Sequence, residues 1–157
     1  MKSNVIKIIV WTIIVLSSCK TPKSGLEKEL TTTKLIDNKN FTVQFNYANP
    51  LRMQSIALTS EYTLTIKGDS AYAYLPYYGV AHTAPFNMSD GGIKFACEMN
   101  GFSKKLNKKQ DGWELRFKVD KPEYHYNVFL TVYLNGASTL QINSHDKDPI
   151  SYFGEIR

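Results

Sequence analysis

The feature that most restricts the fold of this chain is an alternation of apolar and polar residues that begins at Phe41. Successive side chains of a β-strand point to opposite faces, so this alternation predicts strands with one buried face. The apolar positions are Phe41, Val43, Phe45 and Tyr47; Tyr62, Leu64 and Ile66; Trp113, Leu115, Phe117 and Val119; every second residue from Tyr124 to Leu134; Leu140 and Ile142; and Ile150, Tyr152 and Ile156. Most of the chain is therefore predicted to be β.

Tight turns separate these runs. Gly68-Asp69, Asp111-Gly112 and Asn135-Gly136 are residue pairs that tolerate the backbone angles of short hairpins. No helical pattern lies between the strands, which argues against a parallel sheet. We expect about nine or ten strands in an antiparallel meander, curled into a barrel-like or two-layer sandwich domain.

A short helix is predicted before the first strand. Ser24-Gly-Leu-Glu27 matches a capping box, in which a serine and a glutamate satisfy the first turn. Leu26 and Leu30 share one helical face, and we expect the helix to end near Asp37.

The N-terminus predicts export. Lys2 and Lys7 precede a mostly apolar run from Ile8 to Leu16, which is the layout of a bacterial secretory signal. A membrane-spanning helix needs about 20 apolar residues, and this run is shorter.

A cysteine at the end of this run predicts a lipid anchor. Leu16-Ser-Ser-Cys19 resembles the lipobox of bacterial lipoproteins, a family in which the cysteine is acylated after cleavage before it. The chain then divides into a signal peptide (residues 1–18), a lipid-anchored tether (19–24) and one domain (25–157). Lys20, in place of an aspartate, favours the outer membrane by analogy with lipoprotein sorting, and we expect the periplasmic face.

The charge excludes one class of partner. The chain has 19 Lys and Arg against 14 Asp and Glu, a net charge of +5 to which the leader lysines contribute. Such a mild excess in an exported protein argues against a nucleic-acid partner. With Cys19 acylated, Cys97 is the only thiol left, so no internal disulfide is expected.

The stretch Ala71 to Gly79 contains four tyrosines. Tyr72 and Tyr74 alternate with alanines and are interpreted as a wall of the sheet core. Pro76 should end the strand because it lacks a backbone donor. Beyond it, Tyr77 and Tyr78 lie at a bend and are interpreted first as part of the same wall. The alternative is that they contact a sugar ring, lipid or peptide, with His82 as a polar contact.

Lys104, Lys105, Lys108 and Lys109 cluster around one predicted hairpin. Charged residues on a strand edge often block unwanted strand pairing. The alternative is contact with anionic lipid headgroups or envelope glycans near the membrane.

No residue pattern indicates a metal site, a cofactor or a catalytic group. His82, His125 and His145 lack metal-ligand spacing, and the loop from His145 to Asp148 lacks the glycine and distal glutamate of a calcium loop. Cys97 alternates with apolar residues and is interpreted as a small buried hydrophobe.

Four blocks of sequence resemble a known family. They are Phe41 to Pro50, Leu75-Pro-Tyr-Tyr-Gly79, Gly91-Gly-Ile-Lys-Phe95 and Ile150-Ser-Tyr-Phe-Gly154-Glu-Ile156. Their order resembles that of an uncharacterised, domain-of-unknown-function family of lipoproteins and secreted proteins from Bacteroidetes. The resemblance implies an envelope lipoprotein with a β-rich fold, and implies no catalysis.

Together these features predict a lipid-anchored envelope protein that is a non-catalytic binding or adaptor module for an unknown envelope protein, glycan or lipid. One alternative is a hydrolase of envelope glycans or lipids, whose acidic residues would be brought together by folding. Another is a structural subunit of an envelope complex, which a large exposed apolar patch would indicate.

Overall fold

The computed structural model describes residues 23–82 and 91–157, so the signal peptide and Cys19 lie outside the described residues. Within these described residues the chain forms one helix and nine strands. They are α1 (Lys23–Asp37), β1 (Asn40–Pro50), β2 (Ile56–Lys67), β3 (Ser70–Leu75), β4 (Ile93–Glu98), β5 (Asn100–Leu106), β6 (Gly112–Lys121), β7 (Tyr124–Tyr133), β8 (Ala137–Ser144) and β9 (Ile150–Ile156). The predicted helix and the mainly β fold are confirmed.

All nine strands form one antiparallel sheet in the order β4-β3-β2-β1-β9-β8-β7-β6-β5. Only Met99 separates β4 from β5, so the chain passes directly from one edge of the sheet to the other. The edges approach each other, and Phe95 of β4 packs its ring 6.0 Å from that of Tyr126 in β7. The sheet is therefore a nearly closed barrel, which decides between the two predicted architectures.

Apolar side chains fill the barrel interior. In β6 and β7 the predicted apolar positions face the interior, with Leu115, Val119 and Leu130 among the buried residues. In β3 the interpretation of the tyrosines as core wall is wrong, because Ala71 and Ala73 face inward while Tyr72 and Tyr74 are about half exposed. Period two identifies two faces of a strand without identifying which face is inside.

The helix lies at one end of the barrel, which we call the near end. Thr32 and Ile36 are its buried residues, and Ile36 joins the barrel core. Since β1 leaves α1 and the strands alternate in direction, residues 51–55 after β1, residues 76–82 after β3 and residues 145–149 before β9 all lie at the opposite, far end. Within residues 23–82 and 91–157, no helix is long and apolar enough to cross a membrane.

Candidate functional site

Three loops meet at the far end of the barrel and bring polar side chains together. Arg52 comes from the loop after β1, Tyr77 and His82 follow β3, and Lys147 and Asp148 precede β9. We call these five residues the Asp148 cluster. The three loops that carry them are far apart in sequence, so the strand topology makes them neighbours.

The turn after Pro76 positions Tyr77. The Tyr77 hydroxyl lies 2.6 Å from where a β-carbon on Gly79 would stand, so only glycine lets the ring fold back over the turn. That hydroxyl is 2.9 Å from the carbonyl oxygen of Val80 and 3.2 Å from that of Asp148. It donates to these backbone acceptors and thereby joins two loops.

Backbone hydrogen bonds hold the same two loops together. Ala81 and Lys147 form an isolated antiparallel bridge. His82 donates its backbone N–H to Asp146 at 2.8 Å, and Asp148 donates its own to Val80 at 3.0 Å. Beneath them, the Tyr152 hydroxyl donates to the Pro76 carbonyl at 2.6 Å. These hydrogen bonds therefore hold the loops of the Asp148 cluster in fixed positions relative to each other and to β9.

The Asp148 carboxylate is the centre of the cluster. Asp148 is only 7% exposed. One of its carboxylate oxygens, Oδ1, accepts a hydrogen bond from His82 Nε2 at 3.0 Å. The other oxygen, Oδ2, lies 3.1 Å from Arg52 Nε, but the contact is not aligned as a hydrogen bond. Oδ2 is thus buried without a hydrogen-bond donor among the described residues, a costly arrangement unless something else donates to it.

Burial also changes the proton affinities around the cluster. Desolvation lowers the pKa of Lys147, partly offset by the nearby Asp146. Desolvation and the negative charge of Asp148 raise the pKa of Tyr77. In the adjacent core, burial raises the pKa of Tyr126 to about 12. Both tyrosines therefore stay neutral at physiological pH, and the neutral Tyr77 hydroxyl can donate.

The structure brings together two of the three predicted contact residues. Tyr77 and His82 belong to the Asp148 cluster, while Tyr78 packs against the hydrophobic core. The Tyr77 ring lies under Lys147, whose Nζ is 5.1 Å from the ring centre, so this face is covered by a cation. The predicted contact of these residues with a ligand stays a prediction.

Arg52 and Asp148 were missed by sequence reasoning. Asp148 stands in a polar loop with no recognised motif, and Arg52 follows a strand end at Pro50. The one signal for Asp148 was its closeness to His145 and Asp146 in a loop that lacks the residues of a calcium site, and this signal indicated no partner across the barrel. Its pairing with His82 depends on the docking of two distant loops.

The predicted lysine cluster lies at the near end. Lys104 pairs with Asp37 of α1 and lies over the Trp113 ring, and Lys105 pairs with Glu114 across the β5–β6 pair. That second contact lowers the pKa of Glu114. Lys108 and Lys109 lie exposed in the hairpin turn between β5 and β6.

The Asp148 cluster offers one oriented histidine and one carboxylate. A histidine held by a carboxylate can move a proton, and an exposed guanidinium can donate hydrogen bonds to an oxygen. Among residues 23–82 and 91–157 no group of three His, Cys, Asp or Glu side chains is placed to hold a metal ion.

A second cleft, of about 440 Å³, lies where β4 meets the end of β6. Tyr72, Cys97 and Lys121 are in its lining. Burial raises the pKa of the Cys97 thiol, partly opposed by Lys121.

Alkylation of Cys97 is expected to be slower than that of an unstructured cysteine. A raised pKa leaves less thiolate at pH 8, and the thiolate is the reacting form. The rate with iodoacetamide, followed by mass spectrometry on folded and urea-unfolded protein, checks this. Faster reaction in the folded protein would instead identify an activated thiol.

Comparison with known proteins gives a family and a fold. A family model described as a domain of unknown function, DUF4251, matches residues 24–156. The crystal structure of a DUF4251 family protein from Bacteroides eggerthii DSM 20697 superposes with a TM-score of 0.62 at 13% sequence identity, covering 82% of this chain and 86% of that chain. No curated protein matches the chain.

Proposed function

The chain belongs to the DUF4251 family, whose function is unknown, and we propose that it is a lipid-anchored cell-envelope protein that binds a ligand without catalysing a reaction. The anchor is a lipid on Cys19, supported by the lipobox-like Leu16-Ser-Ser-Cys19. The membrane is the outer membrane and the domain faces the periplasm, which Lys20 supports by analogy. The binding site is the Asp148 cluster.

One observation carries the binding proposal, the buried Oδ2 of Asp148. A buried carboxylate oxygen without a donor is expensive, and a ligand that turns the exposed Arg52 side chain away from Oδ2 and donates a hydrogen bond in its place removes that cost. The Tyr77 hydroxyl and the backbone hydrogen bonds already fix the loop that carries this oxygen. Ligand binding therefore loses little conformational entropy of the loop.

The charges around Oδ2 select the class of ligand. Arg52 and Lys147 oppose a cation, and the Asp148 carboxylate opposes an anion. A neutral hydroxyl group fits both, because it can donate to Oδ2 and accept from the Arg52 guanidinium. Neighbouring hydroxyls are characteristic of sugars, so the ligand is a saccharide of the envelope glycans.

A hydrolase of envelope glycans is the second candidate, and one observation favours it. Asp148 orients His82 at 3.0 Å, as a general base is oriented by a carboxylate. A measurement of saccharide turnover distinguishes the hydrolase from the binding module. A hydrolase would cleave peptidoglycan or core oligosaccharide and lose that activity in His82→Ala, whereas a binding module releases its ligand unchanged.

Replacing Asp148 by asparagine is expected to weaken saccharide binding about tenfold or more, since a hydrogen bond to a charged group contributes about 1.5–3 kcal/mol. The measurement is calorimetric titration of the full-length protein with soluble peptidoglycan disaccharide-peptides and core oligosaccharides. Arg52→Ala, an exposed position, should weaken the same interaction without affecting the fold.

The matched control is Asp69→Asn, an exposed carboxylate paired with Lys39 at the near end. It should bind as the unmodified protein does. Binding that is equal in the Asp148 and Asp69 variants, or absent for the whole saccharide panel, would contradict the proposal.

A further inference from the structure

The outer face of α1 carries two exposed leucines. Leu26 and Leu30 are 64% and 56% exposed and lie one helical turn apart, with Lys34 and Asp37 further along the same face. The opposite face of the helix supplies its core contacts. The helix therefore has a second apolar stripe that the barrel does not use.

An ion pair joins the end of this helical face to the barrel. Asp37, at the end of the same helical face, forms an ion pair with Lys104 of β5. Two residues further along β5, the side chain of Leu106 is about half exposed. Leu26, Leu30 and Leu106, together with the Lys108-Lys109 turn, form what we call the near-end surface.

The near-end surface carries charges of both signs. Lys104 and Lys105 pair with acidic side chains, whereas Lys108 and Lys109 form no ion pair with the described residues and are its free positive charges. Glu27 beside the leucines and the exposed Asp111 beside the lysine turn add negative charge. Exposed leucines bordered by lysines are the composition of surfaces that lie in a membrane interface.

We propose that the near-end surface docks on an anionic phospholipid bilayer, which rests on the proposed lipid anchor at Cys19. Only residues 20–22 separate Cys19 from the start of α1, and that length of chain spans at most about 14 Å. The anchor thus holds the leucines within reach of the bilayer. Docking on this end turns the Asp148 cluster away from the membrane, towards soluble or wall-attached glycan.

The test measures the depth of two positions in the bilayer. A fluorophore is attached at Leu30→Cys or at Met53→Cys in a Cys97→Ala background, in the lipidated full-length chain. Both positions are exposed, and Met53 lies in a far-end loop, so it is the matched control. The protein is inserted into vesicles of phosphatidylethanolamine and phosphatidylglycerol that carry a lipid-linked quencher.

The expected result is strong quenching at position 30 and little at position 53. Lys108→Glu combined with Lys109→Glu should reduce the quenching at position 30. Co-sedimentation with equal quenching at both positions overturns the docking and leaves the anchor standing. Absence of co-sedimentation overturns the lipid anchor, and the docking with it. Protection of position 30 by a protein crosslink, without quenching, shows that a protein covers this surface and also overturns the proposal.

Discussion

Gly154→Ala is expected to lower the free energy of unfolding by about 3 kcal/mol, at the upper end of the usual cost of overpacking. A β-carbon at this position would lie 1.9 Å from the Gln44 carbonyl oxygen and 2.7 Å from the Phe45 Cα. Both atoms belong to the backbone of β1, which pairs with β9 here, next to an irregularity in the register. The β1 backbone cannot move away without breaking its hydrogen bonds to β9, so the steric strain remains in the folded state.

Urea unfolding followed by circular dichroism measures this cost. The matched control is Gly25→Ala, because nothing lies within 4 Å of a β-carbon there. Gly25 is in α1, where alanine is favoured over glycine by up to about 1 kcal/mol, so this variant should be neutral or slightly stabilised. An equal effect of the two substitutions would show that β1 and β9 are not in close contact.

Phe45→Ala is expected to destabilise the domain by about 3–5 kcal/mol. The Phe45 side chain is 0% exposed, and its ring centre is 5.7 Å from that of Tyr152, another fully buried residue. Truncation removes apolar burial and an aromatic contact, and it leaves a cavity between β1 and β9 that the surrounding strands can fill only in part.

Phe153→Ala is the matched control for Phe45, since Phe153 lies on β9 with its side chain 41% exposed. It should cost less than about 1 kcal/mol, because a partly solvated ring loses little on truncation. Both values come from urea unfolding. A larger cost for Phe153→Ala than for Phe45→Ala would mean that the inner and outer faces of the sheet are assigned the wrong way round, and similar costs would contradict the full burial of Phe45.

Much of the fold follows from local patterns. The alternation in β6 and β7 marks the core positions correctly, and the predicted helix ends at Asp37 as expected, although it begins at Lys23, one residue before the serine predicted to cap it. The family match over residues 24–156 confirms the predicted membership of a family of unknown function. These features depend on residues close together in the chain, which is why the sequence alone is informative about them.

The parts that could not be predicted depend on distant contacts. Tyr72 and Tyr74 face outward because, once β3 pairs with β4 in the curved sheet, its alanine face is the one turned to the barrel interior. The alternation of residues in β3 does not show which of its two faces lies inside. The pairing of His82 with Asp148 joins residues 66 positions apart. Only the sheet order brings their loops to the same end.

The location of a bound saccharide is the most direct test of the Asp148 cluster as a binding site. Backbone amide NMR spectra of the isotope-labelled full-length protein, recorded with and without soluble peptidoglycan disaccharide-peptides, measure it residue by residue. The largest shifts are expected at Arg52, His82 and Lys147, and at the same saccharide concentration they should be much smaller in Asp148→Asn. Shifts centred on the cleft lined by Tyr72 and Cys97, or shifts of unchanged size in Asp148→Asn, would contradict the assignment.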